Sequence, residues 1–116
     1  MLKASDLLIG ILCFFGAHFL TFYQLNGQFI WKSFQKHEWL VAAAGFILSY
    51  LYIWGTKYTV AGMGGMLWPA RFIGFSIGML LYALLVSYHF NEGLSIKTLV
   101  SLALCVALIS IQLFWK

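Results

Sequence analysis

Between residues 59 and 90 the chain carries one formal charge, Arg71, in an apolar run that also holds the only proline, Pro69. Three more apolar runs accompany it, and together they mark approximate spans at 7–31, 39–56, 60–90 and 98–115. A helix needs about 20 apolar residues to cross the hydrocarbon of a bilayer, so each run is a candidate span. The composition leaves little alternative. The 116 residues are 63% hydrophobic and 9% charged, whereas a soluble domain carries about 25% charged residues. A soluble fold of this size has too little interior to hide so much apolar surface, so the solvent must be lipid. The runs do not alternate as barrel strands do. The sequence therefore predicts an all-α integral membrane protein: one domain, 1–116, of four transmembrane helices.

The ends of the runs carry interfacial residues. Trp31 and Lys32 close the first, Trp39 opens the second, Trp54 and Lys57 close it, and Trp115 and Lys116 close the fourth. Amphipathic rings and snorkelling amines suit headgroup depth. Lys3 followed by an apolar run has the opening of a signal peptide. That run continues to Trp31 with no small-residue cleavage site, so it is expected to stay as a helix. Short polar connections, 32–38 and 91–95, force antiparallel neighbours and hence an up-down-up-down bundle. Ser95 is the expected N-cap of the last helix. The third run is too long for one straight span. It must tilt, kink near Pro69 or begin at the interface.

Seven Lys/Arg against three Asp/Glu give a net charge of +4, an excess suited to headgroups rather than nucleic acid. Lys3, Lys57 and Lys116 fall on one side and Lys32, Lys36 and Lys97 on the other, with Arg71 joining the first group if its helix starts after it. The positive-inside rule then specifies orientation only weakly. Cys13 and Cys105 lie in separate apolar runs and read as packed residues rather than a disulfide or metal pair. The short length and lack of a targeting signal favour a prokaryotic inner membrane.

Small residues recur at helix-packing spacing: Gly74 and Gly78, Gly45 and Ser49, Ala103 and Ala107. Such pairs let backbones approach where lipid supplies no hydrophobic drive between helices. They fit either a dimer seam or packing within the monomer.

At Phe90-Asn-Glu-Gly-Leu-Ser95, followed at once by the last apolar helix, the chain resembles the drug/metabolite transporter superfamily. Its four-helix length, its near-zero charge bias and Trp68 with the glycines after it resemble the four-helix, small multidrug resistance branch. The resemblance is firmest over residues 72–116 and implies a small transporter. Four short helices enclose little cavity, so a symmetric pair around a midplane site is the expected arrangement. That branch carries a membrane-embedded glutamate in its first helix. Here the first run has none, Asp6, Glu38 and Glu92 lie at run ends, and His18 is the polar group nearest mid-span.

Two side chains are candidate substrate contacts. Arg71 either clamps a carboxylate or phosphate in a cavity or snorkels at the interface and starts its helix, where Pro69 would suit a first turn. His18 either carries a proton near neutral pH or hydrogen-bonds a neighbouring helix, with Thr21 on roughly the same face. Trp68 and Tyr50 join them as candidate binding residues. Tyr52, Tyr82 and Tyr88 share the choice between lining a cavity and packing. No nucleotide-binding, zinc-protease, dithiol or triad motif is present, so neither an enzyme nor a cofactor is expected. The function expected is a homodimeric transporter or flippase for an anionic or lipid-linked substrate. The alternatives are a non-transporting subunit that binds a larger membrane partner through its Gly74/Gly78 face, and a small multidrug-type cation exporter.

Overall fold

Helix α1, Ala4–Asn26, is long, apolar and free of proline. It ends where Asn26 and Gly27 turn the chain into a 3₁₀ turn, Gly27–Phe29. Two short helices follow, α2 at Lys32–Lys36 and α3 at Glu38–Ala43. Helix α4, Gly45–Gly62, continues α3 after a single irregular residue, Ala44. Helices α5, Leu67–Phe90, and α6, Ile96–Phe114, complete the chain. This computed structural model describes residues 4–90, 92 and 95–115. Lys3, Lys116 and the turn residues Asn91, Gly93 and Leu94 lie outside the described residues.

The protein is an all-α integral membrane protein with four spans, Ala4–Phe29, Glu38–Gly62, Leu67–Phe90 and Ile96–Phe114. Its exterior is apolar, with Leu8, Leu12, Phe15, Ile47, Leu84 and Leu104 all exposed, as a bilayer requires.

Two boundaries differ from the sequence expectation. Residues 60–62 do not open the third span; they finish the second, so Lys57 and Trp54 sit inside α4 rather than at its end. The break comes at Gly64 and Gly65, whose φ values of 71° and 89° are costly for any residue with a Cβ. Pro69 then falls in the first turn of α5, where its missing N–H leaves no gap in the helix. The third span is long, 24 residues or about 36 Å, and it starts beside Pro69. At the start of α6, Ser95 has extended dihedrals and its Oγ accepts from the Thr98 N–H at 3.2 Å, which is the expected cap.

Neighbouring residues fix the topology. Leu7 faces Gly62, Gly10 faces Thr59 and Phe14 faces Gly55, so α1 and α4 are antiparallel. Phe14 faces Gly74 and His18 faces Gly78, so α1 and α5 are parallel. The most extensive contact is α1 with α4, followed by α1 and α6 against α5; α4 and α5 meet over a shorter stretch. The bundle is correspondingly flat, 18 Å in its thinnest dimension. Its core holds Phe14, Ala17, Phe22, Leu48, Ile73 and Leu81. Helix α6 contributes one buried residue, Cys105. Cys13 and Cys105 are free thiols.

The α1–α4 seam depends on missing side chains. A Cβ on Gly10 would stand 2.6 Å from the Thr59 backbone nitrogen, and one on Gly62 would stand 2.6 Å from that of Leu7. Backbone cannot swing aside as a flexible side chain can. Gly10→Ala is therefore expected to destabilise the protein by about 1–3 kcal/mol, the usual range for overpacking. Gly16→Ala, where no atom lies within 4 Å, is the matched control. Thermal unfolding of both variants in mild detergent checks this, and equal melting temperatures would contradict it.

Candidate functional site

A groove of about 650 Å³ lies between α4 and α5, with α1 as its floor. Each helix presents a single stripe. On α1 the stripe is Phe14, His18, Thr21, Phe22 and Leu25, on α4 Tyr52 and Thr56, and on α5 the residues from Leu67 through Arg71, Gly74 and Gly78 to Tyr82. Steps of three and four residues keep each set on one helix face. No α6 residue lines the groove, because α6 packs on another face of α5. Arg71, Phe75, Met79, Tyr82 and Thr56 are all exposed although they line it. The groove is thus open along the side between α4 and α5.

His18 is held at mid-span by its neighbours. Its ring lies against the backbone of Gly78, where a Cβ would come within 2.7 Å. The Tyr52 ring meets it edge-on with centroids 5.2 Å apart. The Tyr52 hydroxyl shares a 2.7 Å hydrogen bond with Thr21 Oγ1 and makes a long 3.4 Å contact to His18 Nδ1. This polar set joins α1 to α4 at the depth where an unsatisfied group would cost most.

Arg71 stands nearer the membrane surface. It is four residues into α5, about 6 Å along the axis, and seven residues before Gly78, which places it about 10 Å from the His18 level. Among the described residues the groove lining contains no Asp or Glu; Asp6, in the first turn of α1, lies outside it. At an effective dielectric of about 20, a ligand anion 4 Å from the guanidinium would gain about 4 kcal/mol before its desolvation is counted. The groove therefore offers an anion-attracting mouth, a neutral polar mid-section and apolar walls.

The remaining sequence candidates divide. Trp68 is 73% exposed and stacks on Phe72 rather than lining the groove; as the second residue of α5 it sits where an interfacial anchor belongs. Tyr50 is 46% exposed and packs edge-on with Phe46. Two residues along a helix turn the side chain by about 200°, so Tyr52 faces the groove and Tyr50 faces away. Of the other tyrosines, Tyr82 lines the groove and Tyr88 is exposed. Gly74 and Gly78 face α1, which fixes them as packing positions within the monomer. Ala103 and Ala107 are exposed on α6.

Two features escaped the sequence reading. Gly55 and Thr59 have the same spacing as Gly45 and Ser49, yet the former pair makes the α1 seam. Thr56 enters the groove through its position one turn after Tyr52. Comparisons with protein-family models, curated proteins and solved structures find no match for this chain.

The Thr21–Tyr52 bond yields a test. In a double-mutant cycle with Tyr52→Phe and Thr21→Val, a coupling of about 0.5–1.5 kcal/mol is expected, measured by unfolding in detergent. Tyr50→Phe should be close to neutral. Additive effects of the first two changes would mean the bond contributes nothing.

Proposed function

We propose that this protein is a small transporter or flippase that moves an anionic or lipid-linked amphiphile, works as a homodimer, and resides in the inner membrane of a prokaryote. The observation that carries the reading is the convergence of Arg71 and His18 on one laterally open groove. An amphiphile's apolar part remains in contact with lipid through the open side while its anionic head follows the polar stripe. Arg71 captures the head by charge-assisted hydrogen bonds at the mouth. His18, Tyr52 and Thr21 then give it hydrogen-bonding partners at mid-span, replacing water where the crossing is most costly.

A homodimer fits the incomplete enclosure. Three helices border the groove, its fourth side is open, and a symmetric second copy could close it. The absence of a carboxylate among the described lining residues argues against the cation-exporter alternative, since a cation would meet Arg71 with none of them to offset it. The partner-subunit alternative loses the surface assigned to it, because Phe14 and His18 already occupy the Gly74/Gly78 face.

The deciding experiment uses proteoliposomes containing a fluorescent anionic lipid, with transfer between leaflets followed by chemical quenching. Arg71→Gln is expected to slow transfer roughly tenfold or more, the equivalent of losing one charge-assisted hydrogen bond, while Arg71→Lys retains part of the rate. A zwitterionic lipid of identical chains should move slowly and be indifferent to Arg71→Gln. Equal anionic transfer by the wild type and a well-folded Arg71→Gln variant would overturn the proposal, as would uptake of a lipophilic cation that exceeds anionic transfer.

A further inference from the structure

A second, almost wholly apolar groove of about 450 Å³ lies at the other end of α1, between α1, α2, α3 and the start of α4. Leu20, Phe34, Leu40, Val41, Ile47 and Leu48 supply its hydrocarbon surface. The polar lining residues are already engaged: Tyr23 shares a 2.7 Å hydrogen bond with His89 Nε2, and the Gln24 amide donates to the Val41 carbonyl at 3.1 Å. The second bond meets α3 three residues before the irregular residue Ala44, where α3 gives way to α4. With the described lining apolar but for these two residues, the groove suits a hydrocarbon chain better than a polar ligand.

The rim has the opposite character. Helix α2 is pinned by Phe34, whose ring lies so close to Gly27 that a Cβ there would meet it at 2.6 Å. Lys32 and Lys36 are four residues apart and share a face of α2. Phe34 is two residues from each, about 200° round the helix, so the ring enters the groove as both amines turn outward. Both lysines are exposed. The other titratable groups nearby are His37, whose Nδ1 is bonded to the Ser33 carbonyl at 3.0 Å, and Glu38, exposed at the start of α3 beyond the bend at His37. No acid lies on α2 itself.

We propose that this groove is a binding site for an anionic phospholipid of the bilayer, with one acyl chain between α1 and the α3–α4 joint and the headgroup phosphate against Lys32 and Lys36. Because α2 connects the first span to the second, it lies at the depth where a phosphate would be. The paired amines favour an anionic headgroup over a zwitterionic one, each lysine contributing by its position at the membrane surface.

The test is native mass spectrometry of the full chain in mild detergent with equal amounts of phosphatidylglycerol and phosphatidylcholine of identical acyl chains. It is carried out in the Arg71→Gln background, which removes the cation of the other groove. A preference of roughly tenfold for phosphatidylglycerol is expected. Lys32→Gln with Lys36→Gln, two exposed changes that leave packing intact, should bring the ratio to about one. Val41→Phe, which fills the groove, should reduce retention of phosphatidylglycerol severalfold with both lysines in place. No preference in the Arg71→Gln protein, or a preference surviving the double lysine change, would overturn the headgroup assignment. Undiminished retention by Val41→Phe would place the chain elsewhere.

Discussion

The rest of this structure depends on how closely α1 approaches α4. In lipid, apolar surface gains nothing by leaving the solvent, so helices associate through contact density and satisfied polar groups. Gly10, Gly55 and Gly62 remove the side chains that would hold the two backbones apart, and Thr59 nests fully buried against Gly10. The same residues explain why α4 and α5 do not close on one another. Phe14 sends its ring between them, touching the position of Gly55 on one side and Gly74 on the other. It acts as a wedge from α1 that holds α4 close, holds α5 close and keeps the two walls separate. His18, one turn further along, repeats the contact on α5 alone, against Gly78. The groove is the space left when one helix packs against two partners through glycine.

This arrangement changes the meaning of the Gly74-x-x-x-Gly78 pair. On sequence it serves equally as a seam between two copies or as a rail within one. The structure gives it to Phe14 and His18, which have the same four-residue spacing on a parallel helix. The proposed homodimer would then use a different surface, such as the open side of the groove or the face of α6. That helix buries only Cys105 and exposes Ala103 and Ala107, so its approach to another helix is not obstructed by bulk at those positions.

Much of the fold was legible, and the errors have a common cause. Hydropathy located all four spans because lipid imposes a length and an apolar character on each. It misplaced the boundary between the second and third because glycine is apolar by composition, whereas Gly64 and Gly65 act through backbone conformation. Trp54 and Lys57 were assigned to an end for the same reason: the helix continues past them into residues that hydropathy had assigned to the next span. At the site, Arg71 and His18 were legible as polar groups in apolar surroundings. Tyr50 and Tyr52 were not separable on residue type, since what distinguishes them is rotation about the α4 axis. That phase is set by the Gly55–Phe14 contact. Trp68 showed the opposite difficulty. Next to Pro69 and the glycines it resembles a lining residue, but at the second position of α5 it is exposed and stacks on Phe72 outside the groove.

The two grooves also account for the weak charge asymmetry in physical terms. Arg71 and Lys57 lie toward one face of the bilayer; Lys32, Lys36 and Lys97 lie toward the other. A protein held only by the positive-inside rule would concentrate such residues on one side. Here Arg71 borders a groove with a polar mid-section, and Lys32 and Lys36 border an apolar one, so the proposed ligands would give cations at both faces local work unrelated to orientation. In the proposed reading, their distribution follows where anionic groups are met. On the α2 face the proposed ligand is a stationary phosphate beside a hydrogen-bonded wall. On the Arg71 face the proposed ligand is a head able to continue inward, because the polar stripe does not stop at the mouth but leads through Thr56 to Tyr52, Thr21 and His18. In the proposed reading, an amphiphile held in the apolar groove beside α2 has no polar route across the membrane, whereas one admitted at the Arg71 groove meets Tyr52, Thr21 and His18 along it.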